Sequence, residues 1–454
     1  MRILMLTWEY PPHGVGGLAR HVEDLSEALV KENVEAHVLT FKDPNDDTRI
    51  QEDEINNGVH IHRIDPYPVN TPDFLTSILQ LNLKMLEYAI GLNSRHGPFQ
   101  LVHAHDWLVA FAGRAIKHAY RIPILATIHA TEAGRNHGLH NDTQRYISSV
   151  EWWLGYEAWR VIVCSHHMKN EVRGIFQLPE DKIEIIPNGV DPKKYLTTEP
   201  EAEFRIKYAR PHEKIIFFIG RLVREKGVQV LIDAAPRILT SYPQAKFIIA
   251  GKGPMESALR HQVQTMGLSH KIHFTGYIDD DTRNKIFRCA SLAVFPSLYE
   301  PFGIVVLEAM AAEVPVVVSD TGGLAEIITH GMDGLKAFPG DAASLANNIV
   351  QLLQNENYAS QLRRNGIWLI SEIYNWRSIA RRTKNTYQEV LQEYRFSPWK
   401  ASFNPFRRVF DFTALRRWPR NGNIPETEIP AERYTLIDRK ASSIHFYEEG
   451  GERH

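Results

Sequence analysis

The sequence predicts an α/β protein of two domains, each a parallel sheet doubly wound with helices, with the two sheets facing a central cleft. Three observations predict it. Short apolar runs rich in Val and Ile alternate with segments of helical periodicity along most of the chain, the pattern of strands covered on both faces. The alternation pauses over a polar stretch, 193–214, and then restarts, so there are two such series. At 454 residues the chain also exceeds the size that one hydrophobic core sustains.

The first series opens as a βαβ unit. A strand at 3–6 is followed by Leu18, Val22, Leu25 and Leu29 on one helical stripe, then by a strand at 38–40. Further strands are expected at 59–64, 101–105, 124–129, 161–164 and 183–187, the last running into the turn-like PNGVDP. This series defines a domain over 1–195. The second has strands at 215–219, 246–250, 271–274, 292–295 and 314–318 and defines a domain over 196–374. Beyond Asp341 the pattern is helical to about 394, and a helix at about 375–394 is long enough to cross back onto the first domain. Residues 395–454, with several prolines and mixed charge in NGNIPETEIPAERY, are expected to form an irregular tail.

The composition narrows the function classes. With 43% hydrophobic and 23% charged residues the chain has the make-up of an ordinary globular protein. A net charge of −2 with dispersed basic residues offers no general attraction to nucleic acid, so phosphate recognition must be local. No apolar run reaches the roughly 18 residues needed to span a bilayer, and MRILMLTWEYPP enters a strand without the pattern of a signal peptide, so a cytoplasmic protein is expected. Cys164 and Cys289 lie in apolar stretches and read as reduced core thiols.

The candidate chemistry sits where strands end. After the first strand, PPHGVGG places Gly14, Gly16 and Gly17 before a helix, exposing backbone N–H groups to an anion or a sugar. A dinucleotide fold would require G-x-G-x-x-G here and an acidic residue closing the second strand; 38–41 supplies none, so NAD is not expected. In the second domain GRLVREKG, 220–227, follows a strand, and Arg221 and Lys226 can clamp a diphosphate. The arginine would pair with phosphate oxygens and the lysine would stabilise the charge that grows on the leaving group. In PSLYEPFGIVVLEAM, 296–310, Pro301 and Gly303 break the chain around Phe302. The N–H groups of Gly303, Ile304 and Val305 then point at a phosphate from a helix N-terminus. Glu300 would lie beside the sugar, and Glu308, about two turns on, beside the ribose hydroxyls.

In the first domain VHAHDW and ATIHA both end strands. They place His105 and Asp106 on the acceptor side and His129 near the reacting sugar, where it can hydrogen-bond a hydroxyl or simply be satisfied within the structure. Asp279, Asp280 and Asp281 precede a helical stretch and read as caps rather than as a metal-binding triplet. Over 398–420, Trp399, Phe403, Phe406 and Trp418 interleave with Lys400, Arg407, Arg408, Arg416, Arg417 and Arg420. Packing against the body of the protein is preferred there to a weak peripheral contact with an anionic membrane.

Taken together, these residues resemble glycosyltransferase family 4, retaining enzymes of the GT-B fold with two Rossmann-like domains. The resemblance runs from residue 1 to about 394 and is most specific in GRLVREKG, in GKGP at 251–254, in GYIDDD at 276–281 and in EPFGIVVLE. It implies a metal-independent hexosyltransferase without a cofactor. A glucosyl or similar hexosyl group would pass from a UDP- or ADP-linked sugar to a carbohydrate, lipid-linked or other hydroxyl acceptor. Carried onto this sequence, Arg221 and Lys226 bind the donor diphosphate and Glu300 contacts the transferred sugar. Glu308 contacts the ribose, Gly16 and Gly17 the donor phosphate or sugar, and His129 the region of the sugar's 6-hydroxyl. Gly276, Tyr277, Phe302, Gly303, Ile304 and Val305 complete the donor side.

VHAHDW and VGGL also resemble the bacterial and archaeal glycogen synthase branch, which implies α-glucan elongation as an alternative. The chain departs from that branch at Gly14, where ADP-glucose-dependent synthases carry a lysine two residues before the paired glycines. A nucleotide-sugar epimerase of the same architecture is the other alternative.

Overall fold

The structure is a computed structural model and describes residues 1–12, 14, 16–42, 53–195 and 202–401. The first sheet contains β1 (Arg2–Leu6), β2 (Glu35–Phe41), β3 (Asp53–Asn56), β4 (Val59–Ile64), β5 (Leu101–His105), β6 (Ile124–Ile128), β7 (Arg160–Val163) and β8 (Ile183–Ile185). Its strand order is β3-β4-β2-β1-β5-β6-β7-β8. All neighbours are parallel except β3 and β4. The second sheet contains β9 (Lys214–Ile219), β10 (Ala245–Ala250), β11 (Ile272–Gly276), β12 (Leu292–Phe295), β13 (Val316–Ser319) and β14 (Leu335–Ala337). It is parallel throughout, in the order β11-β10-β9-β12-β13-β14.

Parallel strands need crossover helices, and those helices make both faces of each sheet apolar. The central strand β1 shows the consequence. Leu4 and Leu6 pack on one side with Ile78 and Met85 of the helix Phe74–His96. Ile3 and Met5 pack on the other with Val22, Leu25 and Leu29 of the helix Gly17–Lys31. Each such fully buried side chain contributes about 1.5–3 kcal/mol.

Two strands lie outside the sequence expectation. β3, with Ile55 68% exposed, has no apolar face and owes its extended form to antiparallel pairing with β4. β14 is a three-residue edge strand, too short to show a period.

After Asp341 come the helices Ala342–Gln354, Glu356–Glu372 and Trp376–Phe396. The last is capped by Asn375, whose side chain accepts the Ser378 N–H at 2.9 Å, and it buries Trp376, Ile379, Ala380, Tyr387 and Val390 against the first sheet's layer. Trp376 Nε1 donates to Asp24 at 3.1 Å. Asp279 caps the helix Asp280–Cys289 by accepting the Thr282 N–H at 2.8 Å, so its carboxylate is engaged with the backbone. Neither cysteine is in a disulfide: Cys164 is a buried thiol, and Cys289 is only half-buried, less sheltered than a core thiol. Trp399 lies under the Arg121 guanidinium, 4.8 Å from the ring centre, and so packs on the body. The rest of the aromatic and basic segment, and 402–454 as a whole, lie outside the described residues. Among the described residues no helix is long and apolar enough to cross a membrane.

Candidate active site

The second domain builds one wall of the cleft from two loops. Residues 220–227 leave β9, and Gly227 closes that loop with φ +69, a left-handed conformation. A Cβ there would overlap the Pro296 carbonyl oxygen, so only glycine lets the loop meet the chain leaving β12. The Leu298 N–H donates to the Glu225 carbonyl at 2.8 Å and fixes the two loops together. This brings Lys226 Nζ to 2.7 Å from Glu300 Oε2, which also accepts from Ser297 Oγ at 3.1 Å. Glu300 is nearly buried, whereas Arg221 is half-exposed and lies 3.6 Å from Glu225. Gly303, with φ +105, caps the helix Ile304–Ala311, and a Cβ there would meet Leu324 Cδ2 at 2.5 Å. The N–H groups of Ile304 and Val305 belong to the first turn, which has no carbonyl partners within the helix.

The first domain builds the opposing wall. Gly16 caps the helix Gly17–Lys31, and a Cβ on Gly17 would lie 3.2 Å from Ile304 Cδ1. Two helix N-termini therefore meet across the cleft, and each carries about half a positive charge. Beside them stand His129, after β6, and His105, which ends β5, with His129 Nε2 3.3 Å from His105 Nδ1. His21, on the Gly17–Lys31 helix, packs its ring 4.6 Å from that of His129 and faces Asn188 Oδ1 with Nδ1 at 2.6 Å. Burial, then the nearby Arg135, pushes His129 down to about 3, and burial holds His21 and His105 well below the usual histidine range. All three rings are neutral at physiological pH. Nε2 of His21 and Nε2 of His105 are buried without a hydrogen-bond partner.

Asp106 adopts φ +61 and accepts the His129 N–H at 2.8 Å, and burial raises it to about 6 against the lowering effect of Arg135. Glu151, which accepts the Glu132 N–H at 2.9 Å, is raised to about 8, again chiefly by burial.

Several residues at the seam were not singled out by sequence. Arg20 pairs with both Asp280 and Glu308 of the other domain. Tyr299 donates to Glu171 at 2.9 Å, and Thr131 donates to the same carboxylate at 2.6 Å. Ser165 donates to the Pro301 carbonyl at 2.7 Å, and Glu326 accepts the N–H groups of His166 at 2.8 Å and His167 at 2.6 Å. Pairing with glutamate three or four places from a cation would have flagged local contacts only. These partners are more than a hundred residues apart, apart from Thr131 and Glu171.

The structure gathers Lys226, Glu300, Gly303, Ile304, Gly17, His105, Asp106 and His129 around one cleft, but it corrects three expectations. The Phe302 side chain does not face a donor. It is buried in the core, edge-on to Tyr374, because a phenyl ring gains more there than in a wet cleft. The Glu308 carboxylate is not open to a ribose as it stands. It is engaged by Arg20, and although burial raises it, Arg20 and Arg283 hold it below the usual carboxylate range. Gly276 ends β11, an edge strand of the second sheet three strands or roughly 14 Å from β12, and Tyr277 lies in the bend that follows, so Gly276 can touch only a distant part of an extended donor. Tyr277 is 71% exposed.

Comparisons with known proteins identify the family. The model for Glycosyltransferase Family 4 matches residues 15–194, and that for Glycosyl transferases group 1 matches residues 200–367. An uncharacterized glycosyltransferase of Methanocaldococcus jannaschii is 39% identical, with 86% of this chain and 99% of that protein covered. The chain belongs to glycosyltransferase family 4. This glycosyltransferase is also 34% identical to a glycogen synthase of Mycobacterium tuberculosis, over 85% of this chain and 94% of that one. Among solved structures, sucrose-phosphate synthase from Thermosynechococcus elongatus superposes with a TM-score of 0.74 at 26% identity, covering 86% of this chain and 99% of its own. The two parallel-sheet domains are those of the GT-B fold.

Proposed function

We propose that this glycosyltransferase moves a hexosyl group from a nucleotide diphosphate sugar to a hydroxyl of a carbohydrate acceptor, with retention of the anomeric configuration and without a metal or cofactor. The observation that carries the proposal is the Lys226–Glu300 pair at 2.7 Å, set beside helix N-termini that meet at Gly17 and Ile304. A diphosphate placed there meets a full positive charge and two sets of free N–H groups. These stabilise it most when it departs, with no metal needed to offset its charge. Glu300, released from Lys226 by the incoming phosphate, is free to accept hydroxyls of the transferred sugar.

In this scheme the acceptor oxygen attacks the anomeric carbon on the face from which the diphosphate leaves. The new carbon–oxygen bond forms as the old one breaks, and the acceptor proton passes to the departing phosphate oxygen. His129 stays neutral, so it offers a hydrogen bond without drawing charge away from the clamp. The two buried carboxylates of the first wall, Asp106 and Glu151, are occupied with the His129 and Glu132 N–H groups.

Glycogen synthase is a catalyst whose product is built of glucose, so the 34% identity supports glucosyl as the sugar and α-glucan elongation as a second, narrower reading. The test is incubation with UDP-, ADP- and GDP-glucose, with and without α-glucan or small sugars. Nucleoside diphosphate should appear only in step with acceptor, and the product linkage should keep the donor's anomeric configuration by proton NMR. Conversion of the donor without acceptor would replace the proposal with an epimerase, and an inverted linkage would end the same-face scheme.

A further inference from the structure

At the opposite end of the first sheet from the cleft, four histidines converge from three elements. His37 lies near the start of β2, His60 and His62 on β4, and His96 ends the helix Phe74–His96. The parallel register sets His37 beside His60, and because side chains alternate, His62 falls on the same face. His37 is fully buried and His62 nearly so.

Each of these two rings is backed by a carboxylate. His62 Nδ1 is 2.5 Å from Asp53 Oδ1, and His37 Nε2 is 3.3 Å from Glu35 Oε1. The carboxylates are held in turn: Tyr88 donates to Asp53 at 2.7 Å, Arg95 lies 3.4 Å from it, and Arg2 Nε donates to Glu35 at 2.7 Å. An ionised carboxylate only accepts, so it takes the ring N–H. A neutral imidazole has one N–H, so with those protons spent, His37 Nδ1 and His62 Nε2 present lone pairs to each other at 3.1 Å. Two bare lone pairs at that distance repel unless something positive lies between them. Nitrogens about 2.0–2.1 Å from a tetrahedral zinc ion are about 3.3 Å apart, close to this separation. The ligand atoms of His37, His62 and His96 all lie within 4.8 Å of one another, and rotation of the half-buried His96 ring can close the remaining gap. His60, stacked on His37 at 4.3 Å, borders the side left open.

We infer that His37, His62 and His96 form a structural site for a divalent ion of the zinc class, with Asp53 and Glu35 orienting the ligand rings. Imidazole ligands suit Zn2+, Cu2+ and Ni2+, and carboxylates on the outer ring nitrogens are the usual support of such ligands. The ion would tie β2, β4 and the Phe74–His96 helix together, and through Asp53 it would hold the edge strand β3. The site lies apart from the cleft and does not depend on the proposed reaction.

The experiment uses full-length protein stripped with chelator and titrated with Zn2+ by calorimetry and with Co2+ by visible absorption. One equivalent should bind per chain, with imidazole-type Co2+ bands and a rise in melting temperature. His96→Ala should weaken binding at least tenfold, with His96→Gln in its place if the alanine variant does not fold. Asp53→Asn, which keeps the shape but removes the acceptor-only carboxylate, should weaken it by about 10–100-fold. His129→Ala, in the separate cluster formed by His21, His105 and His129, should still bind one equivalent. Absence of saturable binding, undiminished affinity in the His96 variants, or loss of the equivalent in His129→Ala would each overturn the assignment.

Discussion

The two walls of the cleft solve opposite electrostatic problems. The second-domain wall carries its charge openly, in the pairs Lys226–Glu300 and Arg221–Glu225, with the cations partly exposed. The first-domain wall keeps most of its titratable groups neutral: burial lowers His21, His105 and His129 and raises Glu151 to about 8, while Asp106, raised to about 6, is the one of the five that is ionised at neutral pH. In the proposed reaction the fixed positive charge would meet the anionic part of the donor, and the neutral hydrogen-bonding groups would meet hydroxyls. What separates the walls is burial rather than composition, since both are polar by sequence.

If that division holds, the largest effect belongs to the charged wall. Lys226→Ala removes the cation nearest the departing diphosphate and leaves Glu300, 9% exposed, without its partner. A fall of about 10²–10³ in kcat is expected, the scale on which single preorganised donors act. Glu300→Gln, which breaks the same pair from the other side, should lose turnover on the same scale, and steady-state kinetics with saturating donor checks both. Near-normal kcat in the two variants would break the comparison at its stronger end. The neutral wall should respond less. His129→Ala loses one hydrogen bond, about 0.5–1.5 kcal/mol, and so costs roughly 3–10-fold in kcat/KM. Because His129 titrates at about 3, the ratio of unaltered to variant rates should stay flat between pH 5.5 and 8, and a ratio that changed near pH 6.5 would show the ring acting as a cation.

The same contrast explains what sequence alone could reach. The central strands were legible because burial on both faces leaves an apolar run, as in β1 and β9; β3 was not, since its DEIN owes its shape to a neighbour rather than to its own pattern. The loop 220–227 was legible as a loop because it directly follows a strand and closes on Gly227, whose left-handed φ favours glycine. Arg20, Glu171 and Glu326 sit on helices where nothing in the local pattern singles them out, and they acquire meaning only when the other domain arrives. Arg20 finds Glu308 across 288 positions of sequence. Phe302 misled for the converse reason: it sits inside a polar motif yet serves the core.

The smallest expected effect is also the one that isolates burial itself. A group whose pKa is lowered by folding, as in the histidines of the first wall, costs stability below its unfolded value near 6.5, and that cost is gone above it. A carboxylate raised by folding does the reverse: its contribution is intact below its unfolded pKa and is lost as pH rises through the folded one. For Asp106 that loss ends near 6, while for Glu151 it continues to about 8. Between pH 7 and 8.5, then, Glu151 is the group of this wall still losing its proton in the folded state. Lys182, lowered to about 8 chiefly by burial, loses its proton in the same window with the opposite effect on stability, so Glu151 shows as a difference. Relative to a variant without that carboxyl, the melting temperature should fall across the window by roughly 2–4 °C. Glu151→Gln keeps an acceptor for the Glu132 N–H but has no proton to lose, so its melting temperature should lack that relative fall from pH 7 to 8.5. Equal slopes for the two proteins in calorimetric scans would mean that the buried carboxylate is not what the first wall strains to keep neutral.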